Sequence, residues 1–131
     1  MNLKDWKKLA EHEVYRYRDN EAYVQGVLDA GCLKGERMWR CAKWTLAVDH
    51  AMAYLKRTDP LKAQFFSRFF GLESPLKRRS EARSIIKLSM ELNVSTSTLY
   101  KWKSEALSLV LLAAAQTGAL RPFTQEKVSS I

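Results

Sequence analysis

An all-α fold of about six helices is what this sequence predicts, and three observations predict it. Apolar residues recur at spacings of three and four along most of the chain, the period of a helix with one buried face. No window shows the sustained alternation of a half-buried strand. The five Gly and three Pro are scarce, and most sit where a periodic segment stops rather than inside one.

The elements follow in order. In "NLKDWKKLAEHEVYRYR", Leu3, Trp6, Leu9 and Ala10 stand at helical spacing, and Val14 and Tyr17 continue the stripe. "NEAYVQGVLDAG" reads as a short helix stopped by Gly31. Trp39, Ala42, Leu46, Ala53 and Leu55 mark a longer helix from about Glu36 to Arg57, ended by "TDP". "PLKAQFFSRFFGL" sets Phe65 and Phe66 one turn before Phe69 and Phe70, and Gly71 closes it. "ESPLKRRSE" is a basic connector and the expected boundary between an N-terminal helical region, 1–74, and a second region, 75–118. That second region holds two helices, roughly Ser80–Leu92 and Ser95–Thr117, with Gly118 as the C-terminal stop. Pro122 prevents continuation into a tail, 119–131.

The four Phe, with Trp6, Trp39 and Trp44, are expected in the core, the alternative for the Phe stripe being a partner-binding patch. The run "ALSLVLLAAAQTGAL" is apolar on more than one face, which implies burial on several sides. Either it packs against the Phe-rich helix, or part of it forms a homodimer interface; some self-association is expected.

Charge narrows the class of partner. The net charge is +8 with a pI near 9.7, which favours an anionic partner such as nucleic acid or a membrane surface. Between Pro75 and Ser104, Lys77, Arg78, Arg79, Arg83, Lys87, Lys101 and Lys103 stand against Glu81 and Glu91, a net of +5. The N-terminal "MNLKDWKKLAEHE" has no apolar core of a signal peptide. The longest apolar run, Leu109 to Ala115, is far short of the ~20 residues that span a bilayer. Cys32 and Cys41 match no zinc or redox spacing, and their expected role is that of small buried hydrophobes. A reducing, cytoplasmic setting without membrane contact is the expectation.

The stretch "LNVSTSTLYKWKSEAL", Leu92 to Leu107, meets the demands of a helix-turn-helix one by one. Ile85, Leu88 and Leu92 supply the apolar face of the first helix, and Ser89 is a small residue where two helices approach. Asn93 is one of the few non-Gly residues that tolerate positive φ. Val94 plugs the gap between the helices, and Ser95 is a strong N-cap. Leu99, Trp102 and Ala106 point back into the domain. Ser95, Thr96, Ser97, Tyr100, Lys101 and Ser104 then project outwards, a set suited to the major groove. A helix N-terminus also attracts phosphate. Lys77, Arg78, Arg79 and Arg83 would flank the first helix where it crosses the DNA backbone.

These residues resemble the C-terminal helix-turn-helix of phage and prophage transcriptional regulators of the RinA and ArpU kind, related to region 4 of sigma-70 factors. Val94, Ser95, Ser97, Thr98, Tyr100, Trp102 and Ala106 match that pattern, and Leu99 stands where a second aromatic is common. The resemblance covers roughly the last 75 residues, and Asn93 replaces the usual turn Gly. It implies binding to double-stranded DNA at a late-gene or mobile-element promoter, and contact with RNA polymerase.

An enzyme is not expected. His12 and His50 are the only histidines, both read as surface or structural residues, and no HExxH, Gly-rich phosphate loop, nucleophile elbow or carboxylate cluster occurs. No metal or cofactor is implied. Two rival functions differ in kind: a DNA-packaging recognition subunit resembling a small terminase, and a polymerase-binding protein-interaction module.

Overall fold

The computed structural model describes residues 2–31, 35–72 and 84–121. Within them the chain is all-α, with six helices and no strand. They are α1 (Leu3–Tyr15), α2 (Tyr17–Asp29), α3 (Glu36–Thr58), α4 (Pro60–Phe70), α5 (Ile85–Leu92) and α6 (Thr96–Thr117).

Local chemistry explains most of the ends. Asn2 caps α1 by accepting from the Asp5 N–H at 3.0 Å. Asp59 caps α4 through the Lys62 N–H, and Pro60 occupies the first helical position, where a missing N–H costs nothing. Gly71 and Gly118 end α4 and α6 in the left-handed region, at φ 66° and 89°.

Two expected bounds differ. The apolar stripe through Tyr17 breaks at Arg16 (φ −94°, ψ 5°), so that α1 ends at Tyr15 and α2 begins at Tyr17. The Arg16 N–H forks between the His12 and Glu13 carbonyls, while its own carbonyl accepts from Asn20. Buried polar groups hold this corner: Asn20 donates to Glu13 at 3.0 Å, and the Cys41 thiol lies 3.4 Å from the Asn20 oxygen. Each satisfies another away from water. The second difference is at α5, expected from Ser80. Ser84 is extended (φ −70°, ψ 103°) and caps the helix by accepting from the Lys87 N–H, so the first turn starts at Ile85.

The two long helices, α3 and α6, share the most extensive contact, and α1 and α4 each touch both. Helix α2 lies on α3, and α5 lies on α6 and α4. One continuous core runs from Ala10 to Ala119 and includes Trp44, Val48, Phe65, Phe66, Leu99 and Val110. Phe65, Phe66, Phe69 and Phe70 are all buried, as expected of core residues. Of the three tryptophans expected with them, Trp44 is buried, whereas Trp6 and Trp39 are half-buried. Cys41 is buried, and Cys32 lies outside the described residues. The apolar run of α6 packs chiefly on α3, with α1 and α4 flanking it. Ala106, Leu107, Val110, Ala113 and Ala114 are buried there, while Leu112 remains 57% exposed.

Candidate nucleic-acid interface

The site is built on α5, a three-residue turn and the first three turns of α6. Leu88 is buried and Ile85 and Leu92 are half-buried against the core, so α5 is anchored on one side only. Asn93 ends it at φ 55°, ψ 45°, the one non-Gly residue with positive φ among those described. The Asn93 and Val94 N–H groups both donate to the Ser89 carbonyl, the latter at 3.1 Å, and the Ser89 hydroxyl donates to the Val94 carbonyl. Ser89 therefore closes the turn with its hydroxyl as well as its small volume, a role that helical spacing does not reveal.

Val94 packs half-buried against the core, and Ser95 caps α6, its hydroxyl 3.3 Å from the Thr98 N–H. The same oxygen lies 2.8 Å from Thr98 Oγ1 and 3.3 Å from Ser97 Oγ. This hydroxyl cluster orders the start of α6 before anything touches it.

From there the helix divides cleanly. Leu99 is fully buried and Ala106 is buried, and the Trp102 ring lies edge-on to Phe65 with centroids 6.3 Å apart. Ser95, Thr96, Ser97, Lys101 and Ser104 are exposed, and Tyr100 is 57% exposed. Ser97, Lys101 and Ser104 are four and three residues apart, so they line one side of the helix. The six outward positions expected in this helix are thus on one continuous surface. Lys77, Arg78, Arg79 and Arg83 lie outside the described residues.

A seventh group comes from elsewhere in the chain. Lys7 of α1 reaches across and donates from Nζ to Ser104 Oγ at 3.0 Å. Nothing local links residues 97 positions apart in sequence; the packing of α1 on α6 does it.

The nearby carboxylates are occupied. Glu91 pairs with Arg68 of α4, and Glu11 lies 3.4 Å from Lys103. Glu105 lies 2.7 Å from Lys62, whose ammonium it holds above the ordinary lysine value. Lys87 and Lys101 are exposed and, among the described residues, have no carboxylate partner. The surface therefore keeps cationic character.

A cavity of about 220 Å³ is lined by Tyr17 of α2, by Asp49, Met52, Ala53 and Lys56 of α3, and by Leu72. The Tyr17 hydroxyl donates to Asp49 at 2.5 Å, and a Glu21 carboxylate oxygen lies 3.2 Å from the same hydroxyl. Burial first, then Asp49, pushes this phenol well above the usual tyrosine range. His12 and His50 are exposed. Among the described residues no His, Cys, Asp and Glu converge as a metal site, and no helix is long and apolar enough to cross a membrane. Compared with protein-family models, curated proteins and solved structures, the chain matches none.

Proposed function

We propose that α5, the turn and α6 form a helix-turn-helix that binds duplex DNA, and that the protein is a transcriptional regulator of a phage or mobile element, of the RinA and ArpU kind. The observation that carries the reading is the division of α6. Leu99, one residue from Tyr100, is sealed in the core, while Ser95, Thr96, Ser97, Tyr100, Lys101 and Ser104 share one open face. A recognition helix needs this separation, because its N-terminal residues must enter the major groove while its back stays anchored. Hydroxyl groups at its start suit phosphates and base edges, and Lys101 suits guanine or the backbone.

A second reading has an observation of its own. Ile86 and Met90, four residues apart on α5, are 66% and 78% exposed. Two large apolar side chains on one helical face favour a protein partner beside the duplex, and RNA polymerase is the partner that a regulator would meet. DNA packaging remains the rival within DNA binding; an assembly of eight or more subunits would support it, a monomer or homodimer the regulator.

Selection from a random duplex library at physiological salt, followed by sequencing, tests the reading. A recovered motif whose preference changes in Thr96→Ala or Ser97→Ala is the expected result. Salt-sensitive binding without enrichment would move the function to packaging, and no duplex binding would move it to a protein partner.

A further inference from the structure

We propose that the first two turns of α1 are a second phosphate-binding element for the same duplex, with Lys4, Lys7 and Lys8 as its cations; this rests on the helix-turn-helix reading above. The Lys7–Ser104 hydrogen bond places an α1 ammonium on the outward face of α6. At 1.5 Å per residue, Ser104 lies about 10 Å along the helix from Ser97. That is close to the ~12 Å width of the major groove. The hydroxyl cluster at the start of α6 and the α1 ammonium thus bracket a span comparable to the distance between the groove's two phosphate walls.

Lys4 and Lys8 extend the same cationic edge. Seven residues bring a helix back to nearly the same side, so Lys4 shares a side with Glu11, and Lys8 with Tyr15. Glu11 meets Lys103 of α6, and Tyr15 packs at a tilt against Phe70 of α4 with ring centroids 4.7 Å apart. That side of α1 therefore faces the α4–α6 junction at its C-terminal end and continues past it, at the N-terminal end, as exposed lysines. Lys4 and Lys8 have no carboxylate partner among the described residues; Asp5 points about 100° away from Lys4 around the helix and stands one turn before Lys8 without an ion pair to it. Glu11, the acid on this side of α1, is occupied by Lys103. The edge is rigidly placed, because Ala10 and Val14 on the next turns of α1 are fully buried.

The test is the salt dependence of duplex binding by the full chain, measured by fluorescence anisotropy. Wild type is compared with Lys4→Gln/Lys8→Gln, with Lys4→Arg/Lys8→Arg, and with Arg18→Gln/Arg37→Gln, which removes two charges from α2 and α3. Each phosphate contact adds about 0.9 to the slope of log affinity against log salt. The Lys4→Gln/Lys8→Gln slope is expected to be shallower by nearly two units for every sequence alike, with the melting temperature unchanged. The arginine pair should keep the wild-type slope, and the Arg18/Arg37 variant should lose little of it. A wild-type slope in Lys4→Gln/Lys8→Gln, or an equal loss in the Arg18/Arg37 variant, overturns the α1 element while leaving the helix-turn-helix standing. Wild type that binds no duplex at all overturns both.

Discussion

Leu99 and Tyr100 are adjacent, and the division of α6 makes opposite predictions for them. Leu99 has no exposed surface, whereas Tyr100 is 57% exposed. Truncating a fully buried Leu to Ala removes its transfer free energy and leaves a cavity, about 2–5 kcal/mol in all. Leu99 sits where α6 joins the core shared with α3 and α4, so a figure of about 3 kcal/mol is expected. An unfolding entropy of about 2.1 cal/mol/K per residue over 131 residues converts each kcal/mol into about 3–4 °C. Leu99→Ala should then lower the melting temperature by about 10 °C. Tyr100→Ala should move stability by no more than about 0.5 kcal/mol, since it removes an exposed side chain and Ala is the best helix former. Duplex affinity should behave in the opposite way in the folded proteins, falling in Tyr100→Ala. Thermal unfolding by circular dichroism reads the first comparison. If Tyr100→Ala is as destabilising as Leu99→Ala, the assignment of inward and outward faces is wrong.

The Ser95 hydroxyl caps α6, so Ser95→Ala should cost about 1 kcal/mol in chemical denaturation. Ser95→Asp, also a good cap, should restore that stability yet weaken duplex binding, because it puts a negative charge on the proposed interface; equal affinity for the two variants would argue against a phosphate nearby. Asn93 has φ 55°, so Asn93→Gly should be neutral or slightly stabilising in the same assay, and Asn93→Val should cost about 1–2 kcal/mol. Tyr17 has a raised folded pKa against an ordinary value of 10.0. Its folded state therefore holds the proton more tightly, and its contribution is complete below pH 10 and declines as pH rises further. The stability difference between wild type and Tyr17→Phe should stay constant up to about pH 10 and shrink as the pH rises above it, and a pH-independent difference would show that the phenol proton is not the cause.

Much of this protein follows from residues within a few positions of one another. The all-α class follows from apolar spacing, a local property of the chain. So do the bounds of α3 and α4, because Gly71 and the Asp59–Pro60 cap act through their own backbone and nearest neighbours. The turn before α6 was legible for the same reason: positive φ at Asn93 and a hydroxyl cap at Ser95 are requirements of three or four consecutive residues. The outward face of α6 needed only the helical period once Leu99 was set inward.

What the sequence alone could not decide depends on which helix meets which. The break at Arg16 has no Gly or Pro to announce it; it is stabilised by Glu13, Asn20 and Cys41 from three helices satisfying one another in the interior. The partial exposure of Trp6 and Trp39 depends on how much of each ring the neighbouring helices cover. Helical period cannot show that α6 would pack mainly on α3, because an apolar face records how much must be buried and not against what. The meeting of Lys7 with Ser104 belongs to the same class. Charge and spacing mark each helix separately, but only the packing of α1 across α6 sets a lysine of the first helix against the outward face of the last.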